Sequence, residues 1–173
     1  MESFTFVPKF QGPVTLLRSG GVGIVLMKPI TMALDVGTVR IGVAVSDEER
    51  SMALPLETVD AKSHVEAVER IVELVDDYDV DEIVVGWPLD MQGREGRAVE
   101  RVRRITSDLE SKLRRDIPMV RWDERMTTSA ADRLLVDADV SRSRRKEAVD
   151  QVAACKILEG YLESKQGSDG GER

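Results

Sequence analysis

The chain has 173 residues, one cysteine (Cys155), one histidine (His64) and a formal net charge of −7. These counts exclude an internal disulfide framework and a cysteine-rich metal site, and they argue against any histidine-based triad. The acidic balance argues against a generally basic nucleic-acid binder but leaves room for a local basic patch, so chemistry must come from carboxylates, Lys, Arg, Ser or Thr.

The length suits one domain with tails. With aromatics at only 4%, the core must be built from Val, Ile, Leu and Ala. No run approaches the ~20 apolar residues of a membrane-spanning helix. Residues 1–29 show no basic region followed by an apolar stretch and a small-residue cleavage site, so they make a poor signal peptide. Pro8, Gly12, Pro13 and the run from Gly20 to Gly23 interrupt regular structure there. We read 1–29 as a loosely ordered extension. Periodic sequence starts near Ile30, which suggests that translation begins at Met27.

Ile30–Val36 alternates and reads as a strand that carries Asp35 into a tight Gly37-Thr38-Val39 turn. Arg40–Ser46 is a second strand, with Ile41, Val43 and Val45 apolar. So short a connection makes the pair antiparallel. Met52–Val59 is a third strand, and Pro55 places it at a sheet edge. Ser63 and Glu66 form a capping-box pattern. The helix behind them runs to about Tyr78, with Val65, Val68, Ile71, Val72 and Val75 at helical spacing. Glu82–Trp87 is a short apolar run bounded by acids and Pro88, read as a buried strand parallel to the first. A loop containing Gly93 and Gly96 follows. A second helix spans about Arg97 to Arg115, with Ala98, Val102, Ile105, Leu109 and Leu113 on one face. Pro118–Asp123 is the fifth strand, Thr127–Val136 a short helix, and about Arg144 to Glu163 the last helix. The Gly-, Ser- and charge-rich tail from Ser164 is expected to be disordered. The order predicts an α/β fold: a five-stranded mixed sheet, three antiparallel strands then two parallel ones, with helices on both faces.

Sites in such sheets lie at strand ends. Asp35 ends the first strand. Asp123, followed by Glu124, ends the fifth. Asp150 keeps three- and four-residue spacing with Ala153, Ala154, Ile157 and Tyr161, so it borders the apolar stripe of the last helix. Converging carboxylates repel unless a cation neutralises them. Oxygen ligands without His or Cys favour Mg²⁺ or Mn²⁺, and such ions activate water and stabilise the leaving oxygen in phosphodiester cleavage. Each acid also has a plainer reading. Asp35 caps its own turn, Asp123 pairs with Arg125, and Asp150 pairs with Arg145 or Lys146.

The basic residues form a second constellation. Arg142, Arg144, Arg145 and Lys146 precede Asp150, while Arg40 and Arg125 flank the acids. All six are candidate phosphate contacts. Arg97, Arg101 and Arg104 share one face of the second helix, where a solvated charged face is an equal reading. Trp87 and Trp122 are expected to pack at strand ends rather than to stack on bases.

Four segments in order, LDVGTVRIGVAVSD (34–47), IVVGWPLDMQGREG (83–96), WDERMTTSAADRLL (122–135) and SRSRRKEAVDQVAACKILEGYL (141–162), resemble the YqgF family. It is also called RuvX, the Holliday junction resolvase or pre-16S rRNA nuclease family. The resemblance covers about residues 30–163, the expected nuclease domain. It implies an RNase H-like fold and a bacterial cytoplasmic enzyme of 16S rRNA 5′-end maturation. Asp35, the pair Asp123 and Glu124, and Asp150 match the family's acids. RuvC-type resolvases end their fourth strand in glutamate, where this chain has Gly86-Trp87-Pro88. The metal site must then draw on Asp123 or Glu124, or be weaker. The expected function is a metal-dependent nuclease of structured nucleic acid, most simply pre-16S rRNA. Three alternatives stand beside it: a DNA-junction resolvase, a non-catalytic module binding rRNA or a transcription factor, and an actin-like ATPase, for which the chain is too short. A homodimer is compatible with all of them.

Overall fold

The computed structural model describes residues 14–18, 21–25, 29–123, 125 and 142–169, of which 14–18, 21–25, 142–149 and 168–169 by backbone alone. Two strands, β1 (Val14–Arg18) and β2 (Gly21–Val25), pair antiparallel as a separate hairpin. Within the run expected to interrupt regular structure, Gly21, Val22 and Gly23 instead belong to β2. Main-chain ladder bonds need no side chain, and a hairpin tolerates glycine.

The main sheet comprises β3 (Ile30–Val36), β4 (Arg40–Ser46), β5 (Ala53–Asp60), β6 (Val80–Trp87) and β7 (Met119–Asp123), in the order β5-β4-β3-β6-β7. The β3–β4 and β4–β5 pairs are antiparallel, and β6 lies parallel to both β3 and β7. This is the mixed sheet the sequence predicts. Pro55 lies on the edge strand β5, where a missing N–H costs no ladder bond. The β4–β5 register shifts between Val43 and Ala44, opposite this proline.

Alternation sends Met32, Leu34 and Val36 of β3 to one face and Ala33 and Asp35 to the other. The first face packs against α1 (His64–Asp77) and α2 (Arg97–Lys112) in an aliphatic core with Ile41, Val68, Ile71, Ile83, Val102 and Leu109. Burying each such side chain contributes about 1.5–3 kcal/mol before the entropy of ordering it. Ser63 caps α1, its hydroxyl accepting from the Glu66 amide at 3.4 Å. The second face is covered by one long helix, α3 (Arg142–Asp169), through Ala154, Ile157, Leu158, Tyr161 and Leu162. The small residues Ala33 and Ala44 leave it room to lie close. Tyr161 donates a 2.7 Å hydrogen bond to Glu82, and its ring meets Trp122 edge-on with centroids 5.8 Å apart.

The end of the last helix differs from expectation. The helix α3 continues through Ser164–Asp169, where a disordered tail was expected. Ser164 Oγ bonds the Tyr161 carbonyl and Gln166 reaches the Arg50 carbonyl, so local contacts carry the helix past its apolar stripe. The helix expected at 127–136 lies outside the described residues.

Candidate active site

Asp35 owes its position to β3 and to the turn behind it. The Gly37 amide bonds the carbonyls of Asp35 at 3.2 Å and Arg40 at 2.9 Å. A Cβ on Gly37 would stand 2.7 Å from the Arg40 carbonyl oxygen, so the turn requires glycine. The turn is closed by backbone alone. The Asp35 carboxylate is therefore not used as its cap, and it projects from the face that α3 covers.

Asp150 reaches the same place from α3. The helix crosses β4 so closely that a Cβ on Gly42 would lie 2.0 Å from the Asp150 carbonyl oxygen. Gly42 pairs with Asp35 across the β3–β4 ladder, so one contact point fixes both acids. Burial, and then the neighbouring Asp150, push the Asp35 carboxyl up to about 6. Both causes disfavour the charged form.

Arg40 approaches from the same face of β4 as Gly42. Its Nη1 stands 3.7 Å from Asp150 Oδ2, close enough for charge compensation and too far for a hydrogen bond. Both atoms are buried without a hydrogen-bond partner among the described residues. The lysine and arginine on the helix of Asp150 were the partners the sequence suggested. The strand's period of two gave the missing signal, since Arg40, Gly42 and Ala44 share one face.

Asp123 stands apart. It ends β7, paired in register with Trp87, and β6 lies between it and β3. Two strand spacings separate it from Asp35 by about 10 Å. It also points the other way. Trp122 packs toward Tyr161 of α3, whereas Arg121 stacks on Trp87, its guanidinium 4.3 Å from the ring centroid on the α1–α2 side. Asp123 shares the side of Arg121 by alternation. Arg125 holds it with its main-chain N–H at 3.0 Å, Nε at 3.0 and 3.1 Å and Nη2 at 2.6 Å, and these bonds keep its carboxyl below the usual range. Glu124 lies outside the described residues. So do the side chains of Arg142, Arg144, Arg145 and Lys146, whose backbone opens α3.

The structure thus brings Asp35, Asp150 and Arg40 together and places Asp123 with Arg125 at another edge. On the α3 face, the β6 residue level with Asp35 is Gly86, which has no side-chain ligand. Among the described residues no group of three or more His, Cys, Asp or Glu side chains is arranged to hold a metal. Two oxygen donors do fit a hard divalent cation. The Asp150 oxygen, buried without a hydrogen-bond partner among the described residues, and the raised carboxyl of Asp35 suit such a cation. Trp87 is fixed by packing, its Nε1 donating to Glu95 at 3.2 Å. Burial pushes the Cys155 thiol up to about 11, aided by Glu159, which leaves it a weak nucleophile.

Residues 29–164 match the family described as "RuvX: Holliday junction resolvase". A Geobacillus sp. (strain WCH70) protein named "Putative pre-16S rRNA nuclease" is 44% identical over 137 residues, 78% of this chain and 98% of that protein. A protein of the same name from Bacillus cytotoxicus is 46% identical over 136 residues, again 78% and 98%. T. thermophilus RuvC, solved in complex with a Holliday junction substrate, is similar in fold with a TM-score of 0.52 at 14% identity, over 80% of this chain and 96% of that one. Sheet order, helix placement and this likeness define an RNase H-like fold. The chain belongs to the RuvX family.

Proposed function

We propose that this nuclease is metal-dependent, hydrolysing phosphodiester bonds of pre-16S rRNA in 5′-end maturation in the cytoplasm, with Mg²⁺ or Mn²⁺ as cofactor. One observation carries the reading: Asp35 and Asp150 converge from β3 and α3, and Asp150 Oδ2 is buried with no hydrogen-bond partner among the described residues. Asp35 and Asp150 would hold the cation, which when bound supplies activation of water and charge at the leaving oxygen. Asp123 is committed to Arg125 on the other side of its strand. The third acid is therefore assigned to Glu124, with Asp123 and Arg125 fixing the end of β7.

The chain's own groups have separable duties. Arg40 offsets the charge of Asp150 and keeps one buried N–H donor uncommitted, positioned for a phosphate oxygen. Arg142, Arg144, Arg145 and Lys146 open α3 ahead of Asp150 and serve as backbone contacts for the substrate. The curated relatives support the RNA substrate by name. The fold-level likeness to RuvC makes the four-way DNA junction the comparison substrate.

The test is a cleavage assay with purified protein on a pre-16S 5′ fragment and on a four-way DNA junction, with Mn²⁺, with Mg²⁺ and with EDTA. Cleavage of the RNA that EDTA abolishes and Mn²⁺ restores is the expected result, with Glu124→Gln inactive and Asp123→Asn retaining activity. Cleavage of the junction alone would move the substrate to DNA. Binding of RNA without cleavage under any metal condition would make the chain a non-catalytic module.

A further inference from the structure

Most arginines among the described residues are matched to an acid. Across residues 29–125, Arg40, Arg50, Arg70, Arg94, Arg103, Arg114, Arg115 and Arg125 each form an ion pair with a carboxylate. Lys62 and Lys112 do the same. Arg121 has no such pair and stacks on Trp87. The remaining three are Arg97, Arg101 and Arg104, with no carboxylate partner among the described residues. In a chain of net charge −7, acids to pair them are abundant. The three lie at i, i+4 and i+7 of α2, one flank of the helix away from its buried Val99, Val102, Ile105 and Leu109.

The packing of the helices says where that flank points. His64 meets Asp108, Lys112 meets Glu69 and Arg114 meets Asp76, so α1 and α2 run side by side in the same direction. His64 is the first residue of α1, and it meets α2 eleven residues after Arg97. At 1.5 Å per residue, the start of α2 overhangs α1 by about 16 Å. The crossover from β6 through α2 to the parallel strand β7 sets α2 antiparallel to those strands. The overhang therefore lies at the sheet end where β3 presents Asp35. Along the axis, positions 97 to 104 span about 10 Å. That matches about three phosphates of one strand at 3.4 Å each.

We propose that Arg97, Arg101 and Arg104 form a second phosphate-backbone contact, across the sheet from the start of α3, that grips the nucleic acid whose scissile bond lies at Asp35 and Asp150. The inference rests on the nuclease reading above. A strand lying over this end of the sheet is held on both faces. The contact carries no base information, so it contributes affinity and register rather than sequence choice.

The experiment measures binding of the pre-16S 5′ fragment by fluorescence anisotropy across 50–300 mM salt, in EDTA, for the wild type, Asp35→Asn, the triple variant Arg97→Ala/Arg101→Ala/Arg104→Ala and the corresponding triple Arg→Lys variant. Circular dichroism melts report folding. The triple alanine variant is expected to bind more weakly at low salt, to lower the log–log salt slope by about 2–3, and to approach the wild type at high salt. The lysine variant should keep most of the slope, and Asp35→Asn all of it. An unchanged slope in a folded alanine variant overturns the proposal and points instead to an acidic protein as the partner of this flank. If the wild type cleaves that RNA while the slope is unchanged, only this inference fails. If the wild type neither binds nor cleaves, the nuclease reading fails and this inference with it.

Discussion

Asp35 illustrates how far a single residue can be argued from its neighbours. Alternation in β3 and the Gly37 turn marked it in the sequence, because an acid delivered by an apolar strand demands a partner. The sequence already set Asp150 beside it as a candidate; what it did not disclose is that Arg40, from the adjacent strand, faces Asp150. Those contacts depend on where α3 crosses the sheet. Asp123 shows the converse. Its alternative pairing with Arg125 was legible two residues away, but the side of the sheet it faces emerges only from Arg121 on Trp87 and Trp122 on Tyr161. The raised carboxyl of Asp35 has a consequence for stability. Its ordinary value is 3.8 and its folded value about 6, so the fold favours the protonated form. The contribution is fully present below pH ~4 and is lost as pH rises through about 6, and the loss amounts to roughly 3 kcal/mol at neutral pH. Asp35→Asn should therefore raise the metal-free melting temperature at pH 7.5 and flatten its pH dependence between 4 and 6. Saturating Mg²⁺ should narrow the gap by stabilising the wild type alone. Equal melting curves for the two proteins at pH 7.5 would contradict the burial of that charge.

At the scale of elements, the contact between β4 and α3 governs the site. Gly42 and Ala44 keep β4 low, and α3 comes within reach of Asp35 only because of it. A methyl group at Gly42 has no space, since backbone of α3 occupies it, so either helix or strand must shift. Gly42→Ala should cost about 1–3 kcal/mol, as overpacking does. It should also lower cleavage by more than that loss of folded protein explains, because Asp150 moves with the helix. Melting temperature and kcat on the same samples check it, and a stable, fully active variant would show that α3 sits further from β4. The strands, α1 and α2 were readable because period two, helical period and the Ser63 cap are local signals. The extent of α3 was not. Its last turns bond to Tyr161 and to Arg50, contacts that composition does not encode. The β1–β2 hairpin escaped for a related reason: glycine-rich ladders have no side-chain pattern to read.

For the molecule as a whole, the mixed sheet and its edge strand were legible from connection lengths and from the strand run carrying Pro55, and four motifs in order gave the family. Site composition was legible at the level of residue types, because one His and one Cys leave only carboxylates to hold a cation. The assignment of duties among the acids needed three-dimensional neighbours. Among the described residues, no helix is long and apolar enough to cross a membrane. Carboxylates converging at Asp35 are proposed to make this fold a metal-dependent nuclease of RNA. The most direct measurement is cleavage of the pre-16S 5′ fragment in Mn²⁺ by wild type and Asp35→Asn, at concentrations where both bind it. The wild type is expected to cleave, and Asp35→Asn to lose at least about a hundredfold in rate while binding is kept. Equal cleavage by a pure, folded Asp35→Asn protein would contradict it.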